Sequence, residues 1–191
     1  MPIYPSQKYR ELDEKAIQIR IDYGFLSETI DVFALAKKMG MVLIPYSSLK
    51  RGQFELLRKH SSILADGFSV MRNVDGRLVC YTFYNDAKSL DRQRFTIAHE
   101  IKHFVCRESD PNEEQEDLAN HFARYLMAPT FLVMKYSDST VSEVASHFNI
   151  SKPAAINALS AAKNRSLSGC KRLCAFERRF MEEREKSNNE K

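Results

Sequence analysis

The chain has 191 residues, 43% of them hydrophobic and 28% charged, and a formal net charge of +4. That composition is of the ordinary globular kind, long enough for one substantial core or a core with a small appended module, and the mild charge does not by itself argue for nucleic acid. No apolar run approaches a membrane crossing, and Met1-Pro2-Ile3-Tyr4-Pro5 lacks the charged-then-apolar order of a signal peptide, so a cytoplasmic protein with no membrane partner is expected. Cys80, Cys106, Cys170 and Cys174 are too sparse for a disulfide scaffold and fit a reducing compartment. Cys170 and Cys174 are four apart without a histidine nearby, the usual mark of inert thiols.

From Tyr9 to about Tyr23, Leu12, Ala16, Ile19 and Tyr23 recur at helical spacing among charges, which predicts an amphipathic helix. Asp31 opens a second helix with Val32, Leu35, Ala36 and Met39 inward and Gly40 just past its end. Met41 to Pro45 reads as a short buried strand, with Pro45 marking an edge or an end. Residues 47 to 65 are apolar without a clean period and read as a short helix and a loop. Gly67 to Asn73 and Arg77 to Tyr84 are β-prone runs joined by Val74-Asp75-Gly76, a hairpin signal.

Next comes Phe95-Thr96-Ile97-Ala98-His99-Glu100-Ile101-Lys102-His103-Phe104-Val105. Its His-Glu-x-x-His spacing makes chemical sense on a helix, where residues four apart stand about 40° apart around the axis, so both imidazoles reach one zinc ion with Glu100 beside it as general base. The chemistry this prepares is hydrolysis of a peptide bond by activated water. Ile97, Ile101, Phe104 and Val105 form an apolar stripe almost opposite the histidines, leaving one face for a site.

Pro111 starts, and Pro129 follows, a further helix through Glu113 to Met127. Glu116, Ala119, Asn120, Ala123 and Met127 share one face. The small alanines would let this helix approach the histidine helix and bring Glu116 to the metal; the alternative is an acidic helix start favoured by the helix dipole, as for Glu113 and Glu114. His121, Tyr125 and Tyr136 are unranked candidates for stabilising an oxyanion. Thr140-x-x-Glu143 is a capping box for a helix with Val141, Val144, Ala145 and Phe148 inward, and after Asn149-Ile150-Ser151 another helix carries Ala155, Ile156 and Leu159. This pair is helix-turn-helix-like, with Lys152, Asn157 and Ser160 as thin equipment for DNA. Residues 163 to 186 hold eight basic side chains against four acidic, a local excess equal to the net charge of the whole chain, on a helix where Leu173, Phe176 and Phe180 recur. Ser187 to Lys191 are expected to be disordered.

In these words the chain resembles the ImmA/IrrE family of zinc metallopeptidases. The matching stretches are Ile30-Asp31-Val32 through Leu35-Ala36 to Gly40; Arg94-Phe95-Thr96-Ile97-Ala98-His99-Glu100; Glu116-x-x-Ala119-Asn120-x-Phe122-Ala123 with Leu126-Met127 and Pro129; and Ser142-Glu143-Val144-Ala145 through Phe148 to Ser151 and Ala154-Ala155. The resemblance implies a gluzincin-like zinc site of His99, His103 and Glu116 with Glu100 as catalytic acid/base, and a protein substrate, a helix-turn-helix transcriptional repressor cut to derepress mobile-element, prophage or stress genes. Two departures stand out: Lys102 where the family has Gly before the second histidine, a cation expected to bear on substrate preference, and Leu126-Met127-Ala128-Pro129 for Leu-Leu-Met-Pro.

The expected fold is α+β, mainly helical, with a small antiparallel or mixed sheet packed on the His-Glu-x-x-His zinc helix and a C-terminal helix-turn-helix-like module. Along the chain this divides into N-terminal helices and strand (1–65), a zinc peptidase region (66–130) and a C-terminal helical module with a basic tail (131–191). Zn2+ is the expected metal, with Mn2+ not excluded by the ligand types. The alternative is a DNA-binding or protein-binding regulator whose metal site is structural, although a structural site closes with four protein ligands and the pattern supplies three.

Overall fold

The computed structural model describes residues 7–50, 52–53, 66–108, 111–169 and 172–189. Most of the helix and loop expected within 47–65 lies outside these residues, as does Cys170. Among the described residues the chain is mainly helical with one three-stranded mixed sheet. Its elements run α1 (Gln7–Asp22), α2 (Val32–Lys38), β1 (Val42–Pro45), β2 (Gly67–Val74), β3 (Arg77–Tyr84), α3 (Leu90–Cys106), α4 (Glu113–Met127), α5 (Thr130–Val133), α6 (Val141–Phe148), α7 (Lys152–Leu167) and α8 (Ala175–Asn189). The chain divides into two compact units, one of Val32–Ala119 and one of Met1–Asp31 with Asn120–Lys191.

The Val32–Ala119 unit is a sheet and a helix. Asp75 and Gly76 both take positive φ, 51° and 79°, as a two-residue hairpin turn requires, and fix β2 antiparallel to β3 with Val74 opposite Arg77. β1 joins the other side of β3 in parallel, Val42 opposite Tyr81, giving the order β1-β3-β2. The expected buried strand is therefore an edge strand, with Val42 exposed and Leu43, Ile44 and Pro45 half-buried. Along β3 the period of two sends Cys80 and Thr82 to one fully buried face and Val79, Tyr81 and Phe83 to the other. Phe68, directly opposite Phe83, stacks on it with ring centroids 5.0 Å apart.

α3 packs against α2, β2 and β3. It is not the one-sided helix that its apolar stripe predicts. Ile97 and Ile101 are fully buried, but so, nearly, are Thr96, Glu100, Lys102 and His103. Gly67, at the start of β2, permits the close approach: a Cβ there would sit 2.6 Å from Thr96 Cγ2 and 2.7 Å from the Phe83 carbonyl oxygen.

The second unit is a helical assembly in which α1 packs on α8 and α7 packs on α5 and α6. Its core includes Ile17, Phe122, Leu126, Leu132, Phe148 and Phe180, all fully buried. At its centre lies Arg20, also fully buried. Its guanidinium donates to the carbonyls of Phe25 (3.1 Å), Leu126 (3.2 Å), Ser27 and Glu28, and lies 5.0 Å from the centre of the Phe180 ring. The predicted capping box is formed: Glu143 N donates to Thr140 Oγ1 (3.3 Å) and Thr140 N to Glu143 Oε2 (2.7 Å). Asn149, with φ 51°, ends α6, and the Ser151 side chain caps α7 through Ala154 N at 3.3 Å. Ala155, Leu159 and Ala162 face inward, whereas Ile156 is half exposed at 51% rather than part of the core. In the basic C-terminal stretch Arg165 pairs with Glu177, Arg184 with Glu28 and Lys186 with Glu183, and α8 runs on through Ser187, Asn188 and Asn189, where disorder was expected.

Candidate metal centre

Four residues separate His99 from His103 on α3, and the helical rise and turn bring their rings together at a centroid distance of 4.8 Å. Their Nε2 atoms are 3.0 Å apart. Glu116, in the first turn of α4, sends its carboxylate to both: Oε2 lies 3.1 Å from His99 Nε2 and Oε1 lies 3.4 Å from His103 Nε2. The three side chains form a group able to hold a metal ion, each offering one ligand atom within 4.8 Å of the others. Ligand atoms held tetrahedrally by zinc at about 2.0–2.2 Å stand about 3.3 Å or slightly more from one another, so the separations found here fit such an ion with small adjustments. Two neutral imidazoles and one carboxylate are also the donor chemistry that zinc takes.

Glu100 is 6% exposed and turns toward the sheet, where its carboxylate is hydrogen-bonded by Ser69 of β2. Burial pushes this carboxyl up to about 7; the hydrogen bond from Ser69 opposes the rise and the charge of Glu116 adds to it. Ser69 is itself fixed by Thr82 across the hairpin, Oγ to Oγ1 at 2.8 Å. Tyr46 shares these surroundings: burial, then the charges of Glu100 and Asp66, pushes its phenol up to about 12.

Lys102 does not stand as a cation toward a substrate. Its side chain is 1% exposed and Nζ donates to Glu108 Oε2 at 2.5 Å and to the Gln115 carbonyl at 3.0 Å. The same carboxylate oxygen lies 2.7 Å from His103 Nδ1. Sequence reasoning missed both Glu108 and Ser69. Ser69 lies in the predicted hairpin, but nothing local marks it as facing α3. Glu108 reaches His103 only because the chain doubles back after α3, and no glycine announces that turn.

The unranked oxyanion candidates are engaged within the helical unit. His121 Nε2 lies 2.7 Å from Asp13 Oδ1, Tyr125 donates to the buried Glu177 at 3.1 Å, and Tyr136 donates to Glu28 at 2.5 Å. Cys174 is half-buried, and burial pushes its thiol up to about 11, away from a thiolate ligand.

Paired imidazoles on one helix and a carboxylate from the next are a donor set that could hold a metal ion. Residues 81–160, which carry these three side chains, match the family model Peptidase_M78, the IrrE N-terminal-like domain. The match spans 80 of the 191 residues and supports a likeness to the ImmA/IrrE family; the matched domain implies a metallopeptidase with a protein as its substrate, and the group of His99, His103 and Glu116 is compatible with a bound metal. No curated protein matches the chain. Among the described residues, no helix is long and apolar enough to cross a membrane.

Proposed function

We propose that the protein is a zinc-dependent endopeptidase that cuts a helix-turn-helix transcriptional repressor and so derepresses mobile-element, prophage or stress genes. The observation that carries the enzymatic part is the convergence of His99 Nε2, His103 Nε2 and the Glu116 carboxylate within 3.0–3.4 Å of one another. His99, His103 and Glu116 are the proposed zinc ligands; Mn2+ suits the same donors less well. Bound zinc would supply Lewis-acid activation of water and of the scissile carbonyl. Glu100 is the proposed general base, taking the proton from the attacking water at its carboxylate and then handing it to the leaving amine. Ser69 keeps that carboxylate oriented. β2 pairs on one side only among the described residues, so its other edge is a place for an extended substrate segment to lie.

The repressor as substrate follows from the family resemblance. In the division of labour we propose, residues 66–130 carry the chemistry and 131–191 form a helix-turn-helix-like module for recognising the partner. The rival reading, a DNA-binding or protein-binding regulator with a structural metal, draws on the α6–α7 pair, where Lys152, Asn157 and Ser160 are exposed. One set of measurements separates them: zinc per chain in wild type and Glu116→Ala, and cleavage of a helix-turn-helix repressor encoded beside the gene by wild type and Glu100→Gln. The enzyme reading expects one zinc, its loss in Glu116→Ala, and a Glu100→Gln protein that keeps zinc but does not cut. Zinc bound equally well without Glu116, or DNA affinity retained after metal removal with no cleavage by wild type, favours the regulator.

A further inference from the structure

We propose that Lys102 and Glu108 are a positioning pair for the metal centre, holding His103 in the tautomer that presents Nε2 as its ligand atom. This rests on the reading of His99, His103 and Glu116 as ligands.

The device begins in the backbone. Arg107 takes a left-handed conformation, φ 55°, at the end of α3, Arg107 N donates to the Phe104 carbonyl at 3.1 Å, and Glu108 N donates to the His103 carbonyl at 2.9 Å. This pair of bonds folds the chain back on the last turn of its own helix. It brings the Glu108 carboxylate to the side of the His103 ring that faces away from the cluster, 2.7 Å from Nδ1. A neutral imidazole carries one proton, and a carboxylate at Nδ1 draws it there. Nε2 is then left with its lone pair, 3.0 Å from His99 Nε2 and 3.4 Å from Glu116 Oε1.

A glutamate in a turn has several rotamers, and Lys102 selects one. Its ammonium is buried, a costly position unless its donors are used, and two of them are: Glu108 Oε2 at 2.5 Å and the Gln115 carbonyl at 3.0 Å. Gln115 immediately precedes Glu116. A single ammonium therefore ties the carboxylate that orients one ligand to the backbone that carries another, across α3 and α4. Its charge is matched at close range by Glu108, so the pair adds no net positive charge beside a divalent ion. Lysine at this position thus has a structural reason tied to the ligands, where a glycine could make neither bond.

The test uses the full chain, with zinc affinity measured by competition against a chromogenic chelator and the absorption spectrum of the Co2+-loaded protein as a report on ligand geometry. Glu108→Ala is expected to weaken zinc binding by about 10–100-fold and to shift the Co2+ bands, with the far-UV circular dichroism of the apoprotein unchanged. Lys102→Met weakens binding by a smaller factor, and Lys102→Arg, which keeps a charged donor, recovers most of the loss. Because lysine acts largely through Glu108, adding Lys102→Met to Glu108→Ala costs less than the product of the two single losses, the remainder reflecting its bond to the Gln115 carbonyl. Should the alanine variant not fold, Glu108→Gln, equal in volume but uncharged, is expected to weaken binding severalfold and is judged by the same criterion. Wild-type affinity and an unchanged Co2+ spectrum in the Glu108 variant overturn the proposal while leaving the zinc centre standing, as does a double variant whose loss is the product of the two single losses. A wild type that takes up no zinc overturns the metal centre and this proposal together.

Discussion

Two glutamates, each beside histidine, carry opposite meanings in the two units. Glu28, in the helical unit, is surrounded by donors that the chain itself brings: Tyr136 and His147 at Oε2, 2.5 and 2.9 Å away, and Lys135 and Arg184 at Oε1, 3.1 and 3.0 Å away. Burial alone would raise its carboxyl, but the hydrogen bonds from Tyr136, Arg184, Lys135 and His147 outweigh it and hold the group at about 2. Glu116, in the sheet-containing unit, is 35% exposed and meets the Nε2 atoms of His99 and His103 instead. The first cluster has its cations built in. The second, on the function proposed above, is completed by a cation from solution. What separates them is whether the chain supplies the cation, and a roll of residue types does not contain that information.

The contrast can be broken most forcibly on the self-sufficient side. Arg20→Met removes the buried guanidinium that serves four carbonyls, Glu28's own among them, and the expected cost is about 3 kcal/mol or more. Thermal unfolding should show a fall in Tm of roughly 6–12 °C for a chain of this size, and a shift of a degree or two would mean that the carbonyls find other donors.

Next in size is the acid dependence of Glu28. Its folded pKa lies below its unfolded value, so its contribution is complete above about pH 4.5 and is lost as pH falls toward 2. Screened by solvent at the exposed Lys135 and His147, that contribution is on the order of 2 kcal/mol. Urea titrations of wild type and Glu28→Gln should therefore diverge most near neutrality and converge by about pH 2; parallel curves across that window would show that the donors around Glu28 do not stabilise its charged form.

On the other side, Gly67→Ala presses a methyl group against Thr96 and the Phe83 carbonyl, where β2 meets the helix that carries His99 and His103. Overpacking of this kind costs about 1–3 kcal/mol, readable as a lowered urea midpoint, and an unchanged midpoint would mean that β2 has slack against α3.

What was legible in the sequence was what neighbours in the chain decide. The helical spans of α1 and α3, the Thr140–Glu143 capping box and the Asp75–Gly76 turn are each fixed by residues within a few positions of one another, and the structure has them close to where the spacing puts them. The histidine pair was legible for the same reason. Glu116 was open between ligand and helix-start acid, and its place beside both histidines depends on how the start of α4 meets α3, which spacing does not give. Charge was the poorest guide. Arg20 lay unremarked among the charges of an amphipathic helix and Lys102 was expected as a cation near the site, yet both are buried, because their acceptors are chiefly backbone carbonyls, which have no signature in a sequence. β1 read as buried from its apolar run, but its place at the edge of the sheet depends on which strand β3 takes as its other neighbour.

The left-handed step at Arg107 gives an unusual standing to the few residues between His103 and Glu108. One residue more or fewer there would swing the carboxylate away from the ring without touching any ligand. A backbone torsion angle thereby fixes the address of a single proton on the imidazole. The length of a turn that looks like mere connection becomes, on this account, part of the chemistry of the site.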